Sequence, residues 1–247
     1  MFKKLILLAA AIALSASAAM AAEKTLVVAH DATWPPMEYV DGNKKIVGYS
    51  VDYIDAIAKE TGIKVIHKNV AWSGIFAELA AQRCDVISSS VTITPERGKV
   101  MDFSIPYYTV QQAVVTKKDV TFHNADELKG KRLGAQISTT GYFAAKSLTG
   151  NNAKSYDAIG HAMEDLKNGR LDAVICDDPV AADFALQGAG NKDALKISFV
   201  METGEIEHYG FAIRKGDTET LEILNAGIKA VKEKGIEAQL IKKWIGK

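Results

Sequence analysis

The chain has little cysteine and no excess of charge of either sign. Only 2 cysteines, Cys84 and Cys176, occur in 247 residues, so no disulfide framework organises the fold. Each precedes an aspartate in a similar strand context; if those strands lie in different units, both thiols are expected to be free and buried. The 30 basic residues balance 30 acidic ones and no run of like charge occurs, which argues against a polyanionic partner such as nucleic acid. His30, His67, His123, His161 and His208 show no metal-ligand spacing, so no metal is expected, and nothing calls for a cofactor. Also absent are a Gly-x-Ser-x-Gly elbow, a phosphate loop, a convincing cysteine–histidine pair, low-complexity segments and short-period repeats.

Long hydrophobic runs are missing too. The apolar stretch Leu5 to Leu14 falls short of the roughly 20 residues that cross a bilayer comfortably. It follows two lysines and precedes the small residues Ser15 to Ala22, which is the three-part pattern of a secretory signal. Ala19 and Ala21 satisfy the small-x-small rule, so residues 1–21 are predicted to be the signal, with an uncleaved anchor as the alternative. No cysteine stands at the cleavage point for lipid attachment, and the periplasm is the expected address of a soluble, monomeric protein.

What is present is an alternation of strands and helices. Strands are predicted at Leu26–Ala29, Lys64–His67 and Asp85–Ser89, separated by helices over Val51–Glu60 and Ile75–Gln82, a parallel-type α/β order. Ser50 is a plausible N-cap and Gly62 a stop for the first helix, whose Val51, Ile54 and Ile57 share one face. The order restarts after Lys117: a capped turn at Asn124, a strand at Arg132–Gln136, a helix from Thr140, a strand at Lys154–Tyr156, a helix from Ala158 and a strand over Asp172–Cys176. Asp178 before Pro179 reads as a further N-cap. The chain closes with a strand at Tyr209–Ile213 and two helices, and crossings near Gln111–Thr116 and Glu207–Arg214 would join two lobes around a cleft.

Two strand ends carry the chemistry. Residues Asp85 to Arg97 run from a buried-type strand into hydroxyls, a threonine–proline turn and one arginine. Arg97 offers a planar, bidentate fork for a carboxylate, and Ser90 and Thr92 add donors; alone, Arg97 is as well read as a surface cation after a turn. About eighty residues on, the strand ending at Cys176 runs into Asp177 and Asp178. Ligands of open α/β sheets bind beyond the carboxyl ends of strands. A cation at one strand end and an acid at the other suit a zwitterion such as an α-amino acid.

From Thr25 to Lys247 the chain resembles the bacterial family 3 periplasmic solute-binding proteins, the amino-acid receptors of ABC importers. The carriers are Asp31 to Glu38, Gly48 to Asp52, Ser88 to Arg97 with Asp102 to Tyr108, Leu128 to Gly134, Gly169 to Ala173 and Tyr209 to Gly216, in that order. The resemblance implies a type II periplasmic-binding-protein fold: two α/β lobes, each a mixed sheet flanked by helices, with the cleft between them. Lobe 1 would be residues 22–111 plus 209–247 and lobe 2 residues 112–208. Arg97, Ser90, Thr92, Thr139 and Thr140 would hold the ligand carboxylate and Asp177 its ammonium, while Asp31, Trp34 and Trp72 would line the side-chain pocket. Asp31 favours a polar or cationic ligand side chain; Ser50 counts the other way, standing where the family motif usually has an acid.

The implied function is capture of an amino acid by lobe closure and delivery to the permease subunits of an ABC importer, with no catalysis. The alternative is a cyclohexadienyl or arogenate dehydratase on the same fold. Its proton-donating acid would fall at Val180, which cannot donate a proton.

Overall fold

The computed structural model describes residues 24–187, 193–202 and 206–246, so the predicted signal at 1–21 lies outside the described residues. The first stretch contains β1 (Thr25–His30), β2 (Thr33–Trp34), β3 (Glu38–Val40), β4 (Ile46–Val47), α1 (Tyr49–Thr61), β5 (Lys64–Asn69), α2 (Trp72–Ala80), β6 (Val86–Ile87), α3 (Pro95–Gly98) and β7 (Met101–Phe103). After β8 (Tyr108–Val110) come β9 (Gln112–Lys117), β10 (Leu133–Gln136), α4 (Thr140–Thr149), β11 (Lys154–Tyr156), α5 (Ile159–Lys167), β12 (Ala173–Asp177), α6 (Asp178–Ala182) and β13 (Leu195–Val200). The chain ends with β14 (Glu207–Tyr209), β15 (Ala212–Arg214), α7 (Thr218–Glu233) and α8 (Ile236–Trp244).

Two five-stranded sheets result, ordered β5-β1-β6-β15-β7 and β11-β10-β12-β9-β13. Both are mixed: β1 runs parallel to β5 and β6 while β15 is antiparallel, and β10 runs parallel to β11 and β12 while β9 is antiparallel. Mixed sheets are what the resemblance implies; the antiparallel strands join the parallel order read from the first βαβ units. The crossing is shifted. Residues 112–117 form β9 inside the second sheet, and the antiparallel pair β8 and β14 stands between the sheets, with Tyr108 opposite Tyr209. The three-stranded sheet β2-β3-β4 and strand β13 were not foreseen.

Buried apolar positions explain the packing. Val51, Ile54 and Ile57 of α1 are buried as their spacing requires, and α1 packs on α7 and α8. Trp244 Nε1 donates to Asp52 at 2.8 Å and the Tyr53 hydroxyl to Glu237 at 2.7 Å, tying the final helix to the first sheet's layer. At the crossing, the rings of Tyr107 and Phe211 stack with centroids 4.2 Å apart. Cys84 and Cys176 are both free and buried.

Two predicted caps are corrected. Ser50 lies inside α1, where its hydroxyl pairs with that of Tyr107 at 3.0 Å; the carbonyls of Pro36 and Met37 accept from the Tyr49 and Ser50 amides instead. Asp178 lies within α6, and its carboxylate accepts from the Gln111 amide at 3.0 Å, which fastens α6 to the start of β9.

Gly48 makes the first cap possible. Its φ is +138°, and an added Cβ would stand 2.2 Å from the Met37 carbonyl oxygen, a backbone atom with nowhere to go. Gly48→Ala is expected to cost about 2 kcal/mol or more, which lowers Tm by roughly 4–8 °C in a protein of this size. Calorimetry finding Tm within about 1 °C of wild type would refute that account.

Candidate functional site

All nine residues predicted for the site border one cavity of about 300 Å³ between the two sheets. Ser89 and Gln136 complete its wall. The strand ends explain the convergence: β1 delivers Asp31, β6 leads into Ser89 to Thr92, β10 ends at Gln136, and β12 ends at Asp177.

Arg97 is placed by a local device. Thr94 caps α3 by accepting the Arg97 amide at 3.2 Å, and Pro95 occupies the first turn, so the side chain leaves at a fixed angle. Nη1 donates to the Thr92 carbonyl at 2.8 Å and Nη2 to the Ser138 carbonyl of the second lobe at 3.1 Å. The guanidinium carbon lies 5.6 Å from the ring centroids of both Trp72 and Phe76. Burial pulls Arg97 down to about 10, opposed by the charges of Asp177 and Glu207, so it remains cationic at neutral pH.

Asp177 faces it from the other sheet. The carboxylate is only 5% exposed and accepts from Gln112 Nε2 at 2.6 Å and from the Tyr209 hydroxyl. Burial raises its pKa to about 7; the Tyr209 hydrogen bond works against this and the Glu207 charge adds to it.

The threonines divide between two tasks. Thr139 caps α4, accepting the Tyr142 amide at 3.1 Å and donating to the Gln136 carbonyl at 2.7 Å. Thr140 donates to Glu207 at 2.9 Å. The Ser90 hydroxyl turns toward Glu38 at 3.1 Å, from a backbone at φ +50°. Thr92 Oγ1 lies 3.5 Å from Glu207 Oε2.

The first lobe supplies the rest of the wall. Asp31 is 4% exposed; it accepts from Thr33 at 2.9 Å and, across the cleft, from Gln136 at 2.8 Å, and burial raises its pKa. Trp72 Nε1 donates to the Ile137 carbonyl at 2.8 Å, while Trp34 Nε1 is buried without a hydrogen-bond partner among the described residues. The hydrogen bonds Asp31–Gln136, Trp72–Ile137 and Arg97–Ser138 close the two lobes directly on each other.

Residues outside the predicted set also take part. Gln136, at the end of β10, lines the cavity. Glu38 is fully buried behind Ser90, with one carboxyl oxygen unpartnered and its pKa pushed well up by burial. Glu207 had no signal beyond its place two residues before Tyr209. Cys176, by contrast, is buried and does not border the cavity.

This two-lobed arrangement is that of a known family. The profile of the bacterial extracellular solute-binding proteins, family 3, matches residues 26–247. The chain belongs to that family. A probable histidine-binding protein of Neisseria gonorrhoeae is 33% identical over 229 residues, covering 91% of this chain and 84% of that one. The L-cystine-binding protein TcyJ of Escherichia coli K12 is 33% identical, covering 90% of this chain and 83% of that one. Among solved structures, the arginine-, lysine-, histidine-binding protein ArtJ of Geobacillus stearothermophilus superposes with a TM-score of 0.83 at 35% identity, over 91% of this chain and 96% of that one. The fold of this family 3 member is thus the two-lobed type II periplasmic-binding-protein fold, and its relatives are solute-binding proteins and not enzymes. Among the described residues, no helix is long and apolar enough to cross a membrane.

Proposed function

We propose that the protein captures a free amino acid with a polar or cationic side chain, closes on it, and delivers it to the membrane subunits of an ABC importer. The observation that carries this is that Arg97, on α3 in the first lobe, and Asp177, at the end of β12 in the second sheet, border one cavity. In this reading Arg97, Ser90, Thr92, Thr139 and Thr140 form the carboxylate end, Asp177 receives the ammonium, and Asp31, Trp34 and Trp72 receive the side chain. Two buried acids, Asp31 and Glu38, lie on the side-chain wall or behind it, which favours a donor-bearing or cationic group. The periplasm, reached through the signal at residues 1–21, is the address that fits.

Lobe 1 would comprise residues 22–111 with 209–247 and lobe 2 residues 112–208, hinged at β8 and β14. A ligand that binds groups on both lobes favours the closed state by its difference in affinity for the two states. The test is a thermal-shift screen of signal-free, refolded protein against the twenty L-amino acids. Ligand at ~1,000 times Kd adds about 4 kcal/mol, or roughly 8 °C or more here. No shift with any amino acid would refute the reading.

Asp177 gives binding a pH dependence of definite sign. The ammonium pairs with the ionised carboxylate, so binding below pH 7 must first expel a proton from Asp177, whose pKa stands at about 7. Affinity should therefore fall roughly tenfold between pH 8 and pH 6 by linkage. Isothermal titration calorimetry should also detect proton release at pH 6; equal affinity at both values would exclude an ionised Asp177 as the acceptor.

A further inference from the structure

Glu207 stands on β14, at the crossing between the lobes. Its Oε2 accepts from Thr140 Oγ1 at 2.9 Å and Gln112 Nε2 at 3.1 Å, both in the second lobe, and lies 3.5 Å from Thr92 Oγ1 in the first. Thr92 and Thr140 are two of the groups assigned above to the ligand's carboxylate. A threonine hydroxyl has one proton to donate. Each can therefore serve Glu207 or a ligand carboxylate at a given moment, but not both.

Charge sharpens the conflict. Arg97 feels the carboxylates of both Asp177 and Glu207, so a ligand carboxylate seated at Arg97 adds a further negative charge to a half-buried group of acids. Gln112 offers two amide protons to three acceptors: Thr140 Oγ1 at 3.0 Å, Asp177 at 2.6 Å and Glu207 at 3.1 Å. Glu207 is thus a carboxylate that joins hydroxyls of both lobes, as the carboxylate of a bound amino acid would.

We propose that Glu207 is an internal competitor for the α-carboxylate of the ligand, a residue that sets affinity by holding the Thr92 and Thr140 hydroxyls until the ligand displaces it. This rests on the amino-acid reading above. It assigns Glu207 to the carboxylate end of the site and not to the ammonium end, although Asp177 is linked to it through Gln112.

The two assignments predict opposite signs. Removing a competitor tightens binding, whereas removing an ammonium acceptor weakens it. The experiment compares wild type, Glu207→Gln and Glu207→Ala by calorimetry at pH 8. The probes are the amino acid giving the largest thermal shift with wild type and the α-carboxamide of that amino acid. The acid is expected to bind Glu207→Gln roughly 10–100-fold more tightly than wild type, the scale of one charge-assisted hydrogen bond. The carboxamide, whose carbonyl accepts the same hydroxyls but brings no charge, should tighten several-fold less than the acid. A merely structural role would move both probes together.

Unchanged or weaker binding of the acid by Glu207→Gln overturns the proposal, and so does a parallel change in both probes. Glu207→Ala gives the same ordering of acid over amide if the competitor is the charge, and loss of that ordering in both variants also overturns it. Wild-type protein that binds no amino acid overturns the amino-acid reading and the competition with it. That failure is seen in the wild-type screen, separately from any variant.

Discussion

Arg97→Ala is expected to weaken amino-acid binding by about 2–5 kcal/mol, between one and four powers of ten in Kd, because it leaves a desolvated ligand carboxylate unpaired. The geometry supports the upper part of that range. A guanidinium has five N–H donors, and the hydrogen bonds to the Thr92 and Ser138 carbonyls use two of them. The rest remain for a bidentate carboxylate, while the bond to Ser138 already holds the second lobe against the first. Alanine removes both the ligand contact and this tie between lobes. Arg97→Lys separates the two effects: it keeps the charge but loses the planar fork and the fit over Trp72 and Phe76, so it should fall between wild type and alanine. Titration calorimetry showing Arg97→Ala within twofold of wild type would remove Arg97 from the site.

Asp177→Asn should produce a comparable loss of binding, about 2–5 kcal/mol, and an opposite effect on the protein alone. The folded-state pKa of Asp177, about 7, is raised above the unfolded value, chiefly by burial. Above pH 7 the carboxylate is ionised in both states, and its burial then costs stability; below the unfolded value it is protonated in both and costs nothing. A neutral asparagine of the same shape lifts that cost, so ligand-free Asp177→Asn should have a Tm at pH 8 no lower than wild type. Its remaining affinity should also lose the fall between pH 8 and pH 6. An asparagine variant that binds as tightly as wild type would assign the ammonium to another acceptor; one that unfolds well below wild type would mean that the Gln112 and Tyr209 hydrogen bonds outweigh the cost of burial.

The two ends of the proposed site are legible for local reasons. A threonine–proline turn fixes the helical start that aims Arg97, and a buried strand ending in an acid places Asp177 beyond a sheet. Both signals lie within a dozen residues of the group they position. Asp31, Trp34 and Trp72 came from a resemblance whose motifs follow one another in order, and they line the same cavity. The caps misread at Ser50 and Asp178 are cases where a good capping residue was used elsewhere. Carbonyls of Pro36 and Met37, between β2 and β3, took the first amides of α1, and the Gln111 amide took the carboxylate of Asp178.

The sequence by itself determined the alternation of strands and helices, the absence of a disulfide framework, and the two oppositely charged strand ends. These follow from periodicity, composition and turn chemistry, which act over a few residues. Only the tertiary structure decided that β8 pairs with β14, that Gln136 borders the cavity beside Asp31, and that Glu207 bonds to Thr140 and Gln112. Thr92 and Glu207 lie 115 residues apart, and Asp31 and Gln136 lie 105 apart. Contacts over such distances depend on how two sheets close on each other, and no local pattern encodes that closure.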